Sequence, residues 1–77
     1  MLNNSTIHEA LSEISVLTNM YKQTINPRVV GDFLANLATG DKNSAKVLWT
    51  GRVRDRVWSC GMDDFLVSEI DEYLECL

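Results

Sequence analysis

The chain has 77 residues, 45% of them apolar and 23% charged, with a net charge of −4. That length fits one domain with a small core, and the composition excludes a disordered or low-complexity chain. No apolar run approaches the ~20 residues that span a bilayer as a helix.

Met1-Leu2-Asn3-Asn4-Ser5 lacks the basic and apolar regions of a signal peptide. A cytoplasmic protein is expected, in the host cytoplasm if the chain is viral, and the sequon Asn3-Asn4-Ser5 is read as chance. Thr6-Ile7-His8-Glu9 has the form of a capping box, with Thr6 as N-cap and Glu9 reaching back from the third helical position. Ile7, Ala10, Leu11, Ile14, Leu17 and Tyr21 follow the 3.6-residue period and predict the buried stripe of a first helix. Opposite lie His8, Ser12, Ser15 and Asn19, with Val16 and Met20 at the edge of that uncharged strip.

A loop from Lys22 to Asn26 leads to a second helix. Asn26 suits the N-cap, and Pro27 suits the first helical position, where its missing N–H costs nothing. Val30, Phe33, Leu34 and Leu37 form its stripe, with Val29 and Ala38 at the edges. Gly40 suits the left-handed residue that ends it. Gly31 and Ala35, four apart and nearly without side chains, predict the close approach of another helix.

Residues 41–61 admit two readings. As a helix, they place Ala45, Trp49, Val53 and Val57 on one face, and Gly61 follows the end. As a hairpin within 46–58, Val47, Trp49, Val53 and Val57 alternate with Leu48, Thr50, Arg52, Arg54, Arg56 and Trp58 around Thr50-Gly51, and β-propensity favours that arrangement. A lone hairpin is marginal without a third strand or a covering helix, so the helix is preferred.

The last segment predicts the clearest helix. Asp63 caps it and Asp64 complements its positive end. Phe65, Leu66, Ile70, Tyr73, Leu74 and Leu77 form a broad apolar face, opposite Asp64, Ser68, Asp71, Glu72 and Glu75, which are all expected to face water. The expected architecture is a single all-α domain of residues 1–77, a bundle of about four helical segments. A helix over residues 64–76 would hold Cys60 and Cys76 about 18 Å apart, beyond the ~7 Å reach of a disulfide, so two free thiols and a reducing compartment are expected.

The residue inventory excludes most chemistry. His8, Cys60 and Cys76 are too few and too scattered for a structural zinc site, and no oxygen-rich loop bends around a glycine for calcium. No nucleotide-binding glycine motif occurs. A lone histidine beside a helix start, with solvated carboxylates elsewhere, gives no general base or acid with a shifted pKa. No catalysis, metal or cofactor is expected. A helix-turn-helix at residues 33–48 fails because Ala35 and Gly40 are five apart and Asp41 stands where an apolar residue belongs.

Two charged surfaces remain. The final fifteen residues hold six carboxylates and no basic residue, more than the whole net charge. Asp64, Glu69, Asp71, Glu72 and Glu75 are the candidate protein-binding face, suited to a partner with a basic surface. Small, acidic, motif-poor chains are common among viral and mobile-element inhibitors of nucleic-acid machines, an analogy of composition alone. The favoured expectation is therefore a non-catalytic protein-binding module, with an inhibitor of that kind as its specific case. Lys46, Arg52, Arg54, Arg56 and Trp58 are the alternative anion-binding set, with Trp49 in the same stretch and a tryptophan offered to a base. An isoelectric point near 4.7 argues against nucleic acid, and pairing of these cations with the acidic helix is the simpler expectation. A third possibility is a structural subunit of a larger complex. A core this small also favours self-association.

Overall fold

The computed structural model describes residues 4–75. Among these residues five α-helices and one π-helical turn occur in chain order: α1 (Asn4–Met20), α2 (Pro27–Ala38), α3 (Lys42–Leu48), the π-turn (Trp49–Val53), α4 (Arg54–Ser59) and α5 (Asp64–Glu75). Since α3, the π-turn and α4 run on without a break, residues 42–59 act as one rod. The architecture is the all-α bundle of four helical bodies, and no strand occurs among the described residues. The hairpin alternative is overturned: residues 42–59 are helical throughout, and α2 and α5 cover the face on which Ala45, Trp49, Val53 and Val57 are buried.

The local start and stop signals mostly hold. Asn26 Oδ1 accepts the Arg28 N–H at 2.9 Å and caps α2, with Pro27 in its first turn. Asp41 Oδ1 accepts the Ser44 N–H at 3.1 Å and caps α3. Asp63 Oδ1 accepts the Phe65 N–H at 2.8 Å, as expected of the cap of α5. Gly40 (φ +82°) and Gly61 (φ +101°) take the left-handed conformation that ends α2 and α4. Thr6 is a correction. Asn4 and Ser5 are already helical, so Thr6 lies inside α1 and is not its N-cap.

The core lies where α1, α2, the rod and α5 converge. Ile7, Ala10, Ile14 and Leu17 of α1, Val30 and Phe33 of α2, and Leu66, Ile70 and Leu74 of α5 are buried together. The periodicity did not single out Ile25, Met62 or Val67, yet all three are buried. Among the described residues Thr18 is the one buried polar residue, and its hydroxyl donates to the Ile14 carbonyl at 2.7 Å. Tyr21 lies past the end of α1 and is exposed. Gly31 and Ala35 are also exposed, and no heavy atom beyond the local helix comes within 4 Å of where a Gly31 Cβ would stand. The expected close helix approach at that pair does not occur.

The rod solves a problem of rotation. In an α-helix each four-residue step overshoots one turn by about 40°, so three steps carry a side chain about 120° around the axis. Ala45, Trp49, Val53 and Val57 are nevertheless all buried to 1% exposure or less. The π-turn absorbs the drift: the Arg54 N–H donates to the Trp49 carbonyl, five residues back, rather than to Thr50. Trp49, fully buried, then stacks on Phe33 with ring centroids 5.5 Å apart.

Candidate functional site

The rod and α5 run antiparallel along a seam of polar contacts. At one end Lys46 Nζ lies 3.3 Å from Glu75 Oε1, and the Lys42 ammonium sits 4.3 Å from the centre of the Tyr73 ring. In the middle, Trp49 Nε1–H donates to Asp71 Oδ1 at 2.6 Å, and Arg54 Nε–H lies 3.0 Å from both Asp71 oxygens. At the far end Trp58 Nε1–H donates to Asp64 Oδ1 at 2.5 Å, while the Arg54 guanidinium lies 5.2 Å from the centre of the Trp58 ring. Trp49 and Arg54 reach one carboxylate because of the π-turn. On an α-helix, residues five apart point about 140° away from each other.

This seam corrects the reading of the acidic face. Asp71 faces the rod and is only partly open to water. Its side chain is 32% exposed and is held between a buried indole and a guanidinium. The carboxylate in turn raises the pKa of Arg54 above its ordinary value, mainly through their hydrogen bond and against a smaller effect of burial. Asp64 and Glu75 also turn an oxygen toward the rod, although Glu75 stays 68% exposed. Glu69 and Glu72 form no ion pair among the described residues.

Phe65 is the second correction. It was expected in the core, yet it is 61% exposed, and Val67 at 3% takes its place. Leu66 lies about 100° from each of these neighbours around the helix, on opposite sides, so the sense in which α5 rolls about Leu66 decides which of the two is buried. The roll leaves Phe65, Ser68, Glu69 and Glu72 together, at spacings of three, four and seven residues, on the outward side.

The basic set is divided as well. Lys46 and Arg54 are the cations that pair with α5, in line with the simpler expectation. Arg52 and Arg56, one turn apart and both exposed, have no ion pair among the described residues. They line two grooves. One, of about 380 Å³, includes Thr50, Gly51, Asp55 and Ser59. The other, of about 210 Å³, lies against Gln23, Thr24, Asn26 and Val29. Trp49 is buried and cannot stack on a base; Trp58 is half-exposed but bonded to Asp64.

The remaining candidates stay apart. His8 is exposed and borders a shallow groove with Ile7, Leu11 and Tyr73. Cys60 is a free, half-buried thiol at the end of α4, and Cys76 lies outside the described residues, as do Leu77 and Asn3. No group of three or more metal-ligating side chains gathers among the described residues. No described helix is long and apolar enough to cross a membrane. No family model matches the chain, and neither the search of curated proteins nor that of solved structures returned a match.

Proposed function

We propose that this chain is a non-catalytic protein-binding module that engages a basic partner through the outward face of α5. The observation that carries the reading is Phe65, a large apolar side chain 61% exposed and accompanied by Glu69 and Glu72 on the same face. An exposed aromatic ring costs solubility. Beside carboxylates it suits a cationic surface, where a lysine or arginine can lie over the ring and pair with a neighbouring glutamate. Asp63 and Asp64 at the start of α5 extend the negative field along which such a partner would be steered.

The partner class follows from that chemistry. A protein that normally holds a nucleic-acid backbone presents a basic groove, and an acidic helix with an aromatic anchor can occupy it. The module then acts as an inhibitor by competition. Asp71 is removed from the binding set because it is engaged with Trp49 and Arg54.

Two variants test this reading: Phe65→Ala, and the double reversal Glu69→Lys with Glu72→Lys. Retention of basic proteins by the tagged chain at low salt, after nuclease treatment, is compared with that of the unaltered chain. Both variants should keep the helical circular dichroism spectrum. Phe65→Ala should weaken capture by the ~2 kcal/mol typical of a buried aromatic anchor. The reversal should slow association and flatten its salt dependence. A partner retained equally by all three chains would remove the outward face of α5 from the function.

A further inference from the structure

Arg52 and Arg56 carry an inference independent of the acidic face. We propose that the cleft between these two arginines and residues 23–26 is a binding site for a single phosphate group, either inorganic phosphate or a phosphate monoester. Three segments distant in sequence build it. The loop after α1 gives Gln23 and Thr24, the first turn of α2 gives Val29 beside the capping Asn26, and the rod gives both arginines.

The cleft holds donors whose bonding capacity is unused. Neither guanidinium meets a carboxylate within ion-pair distance, and the Gln23 and Thr24 side chains make no hydrogen bond among the described residues. Among the described residues, no acidic residue lines this cleft. Asp55 shares the neighbouring groove with the same arginines, but its ion pair, at 3.8 Å, is with Arg54. Two like charges one turn apart destabilise a helix, and an anion between them reverses the sign of that interaction. Guanidinium forks match the oxygens of a phosphate two at a time, which an ammonium cannot do.

Size and lining narrow the ligand class. About 210 Å³ admits a tetrahedral anion and is below the range usual for drug-sized ligands. Among the described residues Val29 is the one apolar member of the lining, so a base finds no flat platform there. The net charge of −4 also opposes a long polyanion more than a single phosphate. The arrangement recognises the phosphate group rather than the molecule that carries it.

The test is a titration of the full chain with inorganic phosphate and, separately, with phosphoserine. Ionic strength is held constant with sodium chloride while nuclear magnetic resonance follows the arginine Nε–H groups and the Thr24 amide. Saturable shifts of Arg52, Arg56 and Thr24 are expected. Arg52→Gln and Arg56→Gln should each weaken binding about tenfold or more, as loss of a charge-assisted hydrogen bond does. The double variant should abolish it, while Arg28→Gln, outside the cleft, should bind normally. Circular dichroism verifies that each variant is folded. Saturation by both ligands, or by one of them, supports the site, and the choice between them identifies a free ion or a phosphorylated partner as the source. Linear shifts without saturation, or saturable shifts retained in the double variant, overturn the proposal. So does tighter binding of an oligothymidylate that depends on the same two arginines, since that would make the site a strand contact.

Discussion

The two tryptophans of the rod make the same bond to the same helix, and their environments differ completely. Trp49 donates to Asp71 and Trp58 donates to Asp64, at 2.6 and 2.5 Å. Trp49 is fully buried, whereas Trp58 is 49% exposed. At Trp49, loss of the acceptor would leave an indole N–H on a buried ring without a partner, and Arg54 would lose the closer of its two carboxylates as well. At Trp58, water would replace the acceptor at little cost. A hydrogen bond of given length therefore says little about stability until the alternative open to each partner is known.

Replacement of the two rings gives the largest expected difference. Trp49→Ala removes a buried ring stacked on Phe33 and should cost about 3–5 kcal/mol. A domain this small has little stability to spare, so the variant should be largely unfolded or strongly shifted in urea. Trp58→Ala should cost about 1 kcal/mol or less, as an exposed substitution with one cation–π contact to lose. Urea midpoints for the two variants decide the matter. Equal losses would mean that Trp58 is covered in solution, for example by a second copy of the chain.

The acceptors provide a sharper version of the same comparison. Asp71→Ala should destabilise by about 1–3 kcal/mol, because it leaves the Trp49 N–H unsatisfied and the half-buried Arg54 with only its longer pair to Asp55. Asp64→Ala should fall within about 0.5 kcal/mol. Asp71→Asn should lie between the extremes, since an amide oxygen still accepts from Trp49 but offers Arg54 no charge. If Asp71→Ala proved neutral, the shared carboxylate would not be what aligns the rod with α5.

Most of the bundle was legible in the sequence, because a buried stripe depends on local period and on caps such as Asn26 and Asp63. What could not be read was how each helix rolls against its neighbours. Phe65 and Val67 flank Leu66 symmetrically, and only the positions of α1 and the rod decide which one is buried. The same roll turns Asp71 inward, so the division of six carboxylates between seam and surface was invisible to periodicity. The strict four-residue spacing of Ala45, Trp49, Val53 and Val57 was visible, and it is the signal from which a π-turn could have been inferred. The inward-facing Trp49 likewise removed one of the two aromatic platforms from the nucleic-acid reading, and the pairing of Arg54 with Asp71 removed one of its cations. Thr6 failed for a different reason: a capping box is a pattern of four residues, and nothing within those four prevents the helix from starting earlier.

The smallest expected effect lies at the start of the rod, where Asp41 makes its bond in full solvent. The Ser44 N–H holds the Asp41 carboxyl below its ordinary value of 3.8, outweighing the small opposing effect of burial. A carboxyl with a depressed pKa in the folded state adds stability above the unfolded pKa and loses it as pH falls through the folded one. Asp41→Ala should therefore melt at a slightly lower temperature than the unaltered chain at pH 7 and at pH 5. The gap should narrow once the pH drops below about 3.8 and close as the carboxyl becomes fully protonated. Melting curves for both chains between pH 7 and pH 2 measure this directly. A gap that stayed constant across that range would mean that the cap acts through geometry alone. It would then resemble the Trp58 bond, in which no buried group depends on the acceptor, and the charge of Asp41 would play no part in starting the rod.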